Sequence, residues 1–157
     1  MLVKDVMSKE VVTVGENDNL VELIAKFRKY NFHILPVIDE NKNILGIVEY
    51  EDIMKVFLPH NPLLEKLLKS THLHNVEEED ILEAELPEDL GTSVNVSDIM
   101  NTHVITIGDD KTISDARKLM KLHDVERMPV TNDGILAGFI TLFDIIIELF
   151  KERNIIK

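Results

Sequence analysis

Three pairs of short motifs recur along the chain in one register, and this duplication constrains the fold more than any local pattern. Val3-Lys-Asp-Val-Met7 answers Val96-Ser-Asp-Ile-Met100, Val11-Val-Thr-Val-Gly15 answers Val104-Ile-Thr-Ile-Gly108, and Leu35-Pro-Val37 answers Met128-Pro-Val130, each pair lying 93 positions apart. After the prolines the second copy is one residue shorter, so Asp52 is answered by Asp144 at a spacing of 92. A shared register broken by one loop deletion marks an internal repeat, and each copy is expected to form the same supersecondary unit.

Within a copy the pattern is mixed. Val11–Val14 is a β-branched run with strand character. From Asn19, the residues Leu20, Leu23, Ile24 and Phe27 recur at i, i+3, i+4 and i+7, which predicts an amphipathic helix ending near Tyr30 and Asn31. Ile34–Ile38 reads as a buried strand, and Pro36, having no donor, is expected at a sheet edge or a strand start. Asp39–Asn43 and Asn132-Asp-Gly134 are hairpin loops leading into Ile44–Val48 and Ile135–Ile140. Glu51–Leu58 continues as a helix, stopped by Pro59. The two units fall at 1–58 and 95–157. Between them, 59–94 is an acidic connector: Leu63, Leu64, Leu67 and Leu68 suggest a short helix. A second helix, opened by Glu77–Asp80, carries Ile81, Leu82, Leu86 and Leu90, is interrupted at Pro87 and ends at Gly91.

Composition narrows the function. A net charge of −12 argues against a general nucleic-acid surface, which needs clustered Lys and Arg. No apolar run approaches the ~20 residues that span a bilayer, and Met1 leads straight into Val3-Lys-Asp-Val-Met7 rather than a signal segment, so the expected setting is soluble and cytoplasmic. The absence of cysteine excludes disulfides, thiolate metal sites and cysteine nucleophiles. No Walker loop, Gly-x-Ser-x-Gly or His-Glu-x-x-His is present, and an enzyme is not expected. His60 and His72-Leu-His74 lack a spacing that fixes a metal geometry, so no metal is expected either.

The chemistry gathers at two strand–helix junctions. Gly138-Phe-Ile-Thr141-Leu-Phe-Asp144 runs from an apolar strand into an amphipathic helix, with Thr141 as a good N-cap and Asp144 three residues on, toward the same side of the first turn. Gly46-Ile-Val-Glu49-Tyr-Glu-Asp52 has the same frame with Glu49 in place of Thr141.

In this order and twice over, these motifs resemble a tandem pair of CBS domains, often called a Bateman module. The resemblance covers about three quarters of the chain and leaves 59–94 outside it. It implies an α/β fold of the α+β kind, two β-α-β-β-α repeats packed about a pseudo-twofold axis. It also implies adenine-nucleotide binding between the repeats and frequent pairing of two chains, here a homodimer. Asp144 is the expected acceptor for ribose hydroxyls and Thr141 a donor to ribose or phosphate, while the resemblance assigns Thr102, Ile105, Val125, Glu126 and Arg127 to the adenine and phosphate contacts.

The first copy departs from this pattern, because the carboxylate of Glu49 competes with a phosphate for the helix-start amides. Its cleft, lined by Val12, Phe32, His33, Ile34, Glu49 and Asp52, is expected to bind weakly, to take a neutral or cationic adenosine-type ligand, or to be empty. The chain therefore reads as a stand-alone sensor for AMP, ADP, ATP or S-adenosylmethionine, signalling by a change of shape or assembly to an unidentified effector protein. The alternative is a structural or adaptor dimer with vestigial clefts, acting through protein contacts.

Overall fold

The computed structural model describes residues 1–57 and 87–157. The first copy contributes α1 (Val3–Val6), β1 (Val14–Gly15), α2 (Leu20–Tyr30), β2 (Ile34–Ile38), β3 (Ile44–Glu49) and a 3-10 helix (Tyr50–Phe57). A short α3 (Leu90–Ser93) precedes the second copy, which contributes α4 (Val96–Ile99), β4 (Ile107–Gly108), α5 (Ile113–His123), β5 (Arg127–Asn132), β6 (Ile135–Thr141) and α6 (Leu142–Glu152). The fold is α+β, with two three-stranded sheets of order β1-β2-β3 and β4-β5-β6. In each, the short first strand runs parallel to the middle one. The connector helices expected before Pro87 lie outside the described residues.

The chain divides into two compact units, and neither coincides with a copy. One holds Met1–Gly15, Leu35–Ile47 and Asn101–Lys157; the other holds Glu16–Ile34 and the described part of Val48–Met100. The cause is an exchange of lead-ins. In the first unit Val3 N–H donates to Lys111 O at 2.8 Å, and Ser8 and Phe139 exchange two backbone bonds of 2.9 Å. The matching bonds are present 93 or 92 residues away: Val96 N–H donates to Asp18 O at 2.8 Å, and Asn101 and Ile47 exchange two bonds of 2.8 Å. Val3 is consequently buried in a core otherwise made by the second copy, with Ile107, Ala116, Met120, Met128, Val130, Ile140 and Ile145.

The motif acids explain themselves locally. Asp5 accepts the Leu2 N–H (3.0 Å) and Asp98 the Asn95 N–H (2.8 Å), each carboxylate closing the first turn of a lead-in helix. Glu22 does the same for Asn19 (2.9 Å), whose side chain in return caps α2 by accepting the Glu22 N–H at 3.0 Å. Thr112 and Asp115 form the equivalent box on α5, and the Thr112 hydroxyl, followed by its amide, holds the Asp115 carboxyl below the usual carboxylate range. A depressed carboxylate contributes stability above its unfolded pKa and loses it as pH falls through the folded value. Thr112→Ala should cost about 1 kcal/mol, read as a fall in the urea midpoint with an unchanged slope.

Four local expectations need correction. Pro36 and Pro129 sit within the middle strands, not at a sheet edge or strand start. The register opens at Val14 opposite Val37 and at Ile107 opposite Val130, so each proline falls just before the short parallel ladder begins. The missing donor thus limits β1 and β4 to two residues. Gly91 lies inside α3 instead of ending a helix; a Cβ there would stand 2.6 Å from Val21 Cγ2, so the glycine permits close packing of α3 on α2. Ile24, expected on the buried face of α2, is exposed, while Leu20, Leu23 and Phe27 are buried. The segment after β3 winds as a 3-10 helix rather than an α-helix, and its N-cap position offers Glu49 where α6 has a hydroxyl.

The two hairpins differ as their sequences require. Asp39 accepts from Asn41 N–H, Asn43 N–H and the Asn43 side chain, all at 2.9 Å, which ties the five-residue loop and holds the Asp39 carboxyl below its ordinary range, the Asn43 side chain contributing most. The shorter loop turns at Asp133 and Gly134, with φ of 50° and 82°, the pair of positive values a two-residue hairpin turn demands.

Candidate functional site

In the second copy the strand–helix junction is assembled by three independent constraints. Arg127 pairs with Thr141 across β5 and β6, Leu142 N–H donates to Glu126 O at 2.7 Å, and Thr141 caps α6. Glu126, Arg127, Thr141 and Asp144 are thereby brought to one place. Asp144 Oδ2 accepts from both the Thr141 N–H and the Thr141 hydroxyl at 2.8 Å, and Asp144 N–H donates to Thr141 Oγ1 at 3.1 Å.

That capping geometry is not by itself a ligand site, because Thr112 and Asp115 reproduce it on an exposed stretch of α5. Two features distinguish Asp144 from Asp115. An Oδ1 without a partner among the described residues, open with two lone pairs, is common to both, but Asp144 is half-buried where Asp115 is exposed. Arg127, the cross-strand partner of Thr141, is exposed and forms no ion pair among the described residues. The Thr141 hydroxyl proton is engaged by Asp144, so donation to a ligand requires that bond to be exchanged. Ile105 and Val125 are half-buried and pack on the core. Thr102 is exposed in the segment before β4, and no hydrogen bond joins it to Thr141 or Asp144.

The first copy keeps the frame and changes its chemistry. Tyr50 N–H donates to His33 O at 3.1 Å, matching the Leu142–Glu126 bond, and Asp52 Oδ2 accepts the Glu49 N–H at 2.8 Å. Asp52 Oδ1 is not open: Lys55 Nζ lies 2.9 Å from it and donates to Ile99 O at 2.8 Å. Phe32 stacks on Tyr30 with ring centres 6.4 Å apart, and His33 meets Tyr50 edge-on at 5.4 Å. Ile34 is half-buried at the start of β2, and Val12, half-buried before β1, belongs to the other compact unit. Among the described residues there is no cluster of metal-ligating side chains, and no helix is long and apolar enough to cross a membrane. His60, His72 and His74 lie outside those residues.

The family model for the CBS domain matches twice, at residues 3–59 and 96–151. The chain belongs to the CBS-domain family. A relative from Methanocaldococcus jannaschii, the uncharacterised protein MJ1426, is 36% identical over 151 residues, 93% of this chain and 89% of that one. Among solved structures of CBS proteins, CBSX2 in complex with AMP superposes with a TM-score of 0.69 at 21% identity, over 97% of this chain and 98% of that one. The CBS domain pair of protein MJ0100, in complex with 5′-methylthioadenosine and S-adenosyl-L-methionine, gives 0.63 at 23% identity, over 95% and 99%. At these identities the likeness establishes the CBS-pair fold.

Reading each CBS copy separately misses Lys55. Its signal was available in the repeat register, since Lys55 is answered at a spacing of 92 by Ile147, a charged residue exchanged for an apolar one three positions after the shared aspartate.

Proposed function

We propose that this CBS pair is a non-catalytic regulatory module that binds an adenosine-containing ligand at the second copy. The observation that carries the reading is the open Oδ1 of half-buried Asp144, held in place by two bonds to its other oxygen, at the junction where exposed Arg127 pairs with Thr141 across the sheet. A carboxylate oxygen fixed in this way can accept from the adjacent hydroxyls of a ribose, and a guanidinium meets phosphate bidentately. Thr102, Ile105, Val125 and Glu126 would supply the walls and the edge contacts for the base. The solved relatives with AMP and with 5′-methylthioadenosine and S-adenosyl-L-methionine support that ligand class. The ligand would act by favouring one of two pre-existing arrangements, with an effector protein reading the shift. The absence of cysteine is compatible with a reducing, cytoplasmic setting.

A thermal-shift panel of AMP, ADP, ATP and S-adenosylmethionine tests the reading. A true ligand at 100 times its Kd adds about 2.7 kcal/mol of stability, and a flat panel refutes the proposal.

A second reading, a dimeric adaptor acting through protein contacts, is favoured by one observation. Phe143, Ile146 and Phe150 are exposed at i, i+3 and i+7 of α6, an apolar stripe on the helix that carries Asp144. A homodimer through this stripe would give a doubled mass by sedimentation and a monomer in Phe143→Asp.

A further inference from the structure

Asp52 and Asp144 occupy equivalent positions, yet they have opposite surroundings. Asp144 offers Oδ1, whereas Asp52 has both oxygens engaged, Oδ2 by the Glu49 N–H and Oδ1 by Lys55. The pairing follows from the local winding: in a 3-10 helix, side chains three residues apart eclipse, which sets Lys55 directly over Asp52. An exposed ion pair alone would signify little. Lys55 makes a second bond, however, to the carbonyl of Ile99. Ile99 ends the four-residue α4, where carbonyls have no partner in the helix, so the ammonium joins the 3-10 helix to the second copy's lead-in through two acceptors. Ile147, the counterpart of Lys55, has no donor to offer.

We infer that Lys55 is the specificity-determining residue of the first copy: a built-in cation that occupies the Asp52 carboxylate in place of a ribose and latches α4 to the 3-10 helix. This inference rests on the proposed ribose role of Asp144. Glu49 repels a phosphate from the same helix start, so the two side chains exclude the two polar ends of a nucleotide.

AMP titrated calorimetrically into the full chain tests this. The wild type is expected to bind one AMP per chain, and Glu49→Thr with Lys55→Ile, the residues of the second copy, is expected to bind two. Adding Asp144→Asn to that variant should leave one. Two AMP on the wild type, or one on the folded double variant, overturns the inference while leaving the second-copy reading intact. If the wild type takes up none of AMP, ADP, ATP and S-adenosylmethionine, that reading fails instead, and the latch is judged by hydrogen exchange. Lys55→Met keeps the aliphatic stem and should speed exchange of the Met100 amide, which closes α4 onto Val96 O, about tenfold. An unchanged rate overturns the latch.

Discussion

Replacing Gly138 with valine should destabilise the protein by roughly 2–3 kcal/mol, a fall of about 5–10 °C in Tm for a chain of this size. A Cβ at Gly138 would stand 2.6 Å from both Met7 Sδ and Ser8 O. The methionine can swing away, because its side chain is long and flexible. The Ser8 carbonyl cannot, since it accepts the Phe139 N–H at 2.9 Å while Ser8 N–H donates back to Phe139 O. Relief of the clash therefore means breaking the bridge that docks the first lead-in on β6, and with it the seat of Val3 in the second copy's core. Urea denaturation with hydrogen exchange across residues 3–8 would show a lowered midpoint and early opening of the lead-in. A variant with the wild-type midpoint would mean that the lead-in is not held there.

That docking is where the sequence was least legible. Helix α2, the two hairpin loops and the strand–helix junctions could be read locally, because each depends on residues within a few positions of one another, and the repeat register followed from the recurrence of such local motifs. The exchange of lead-ins depends on contacts about 50 to 130 residues apart, such as Asn101 with Ile47 and Ser8 with Phe139, for which no local pattern exists. Pro36 was legible in chemistry and not in place: it was expected at an edge or a strand start, but the missing donor shortens the neighbouring strand and does not move β2 to an edge. Gly91 reads as a helix stop until the Val21 methyl against it is seen. At the junctions, Glu49 for Thr141 was visible in the sequence, whereas the role of Lys55 required the geometry that sets it against Asp52 and Ile99 together.

The recurrent capping geometry supplies the sharpest control on the proposed ligand site. Asp144→Asn should weaken binding of the adenosine ligand about 100-fold, close to 2.8 kcal/mol at 1.4 kcal/mol per decade. An asparagine has a single acceptor oxygen. If that oxygen keeps the Thr141 N–H, the group facing the ribose becomes an NH2 donor; if it faces the ribose, the Thr141 N–H loses its acceptor. Asp115→Asn imposes the same change on the Thr112 box, which is exposed at the start of α5. Both variants should show a small loss of melting temperature from weakened capping, and only the first should lose ligand. Calorimetric titration of the two variants with the nucleotide giving the largest thermal shift separates the roles. Equal affinities in both would reduce Asp144 to a helix cap, and the open oxygen at Oδ1 would then have no functional meaning.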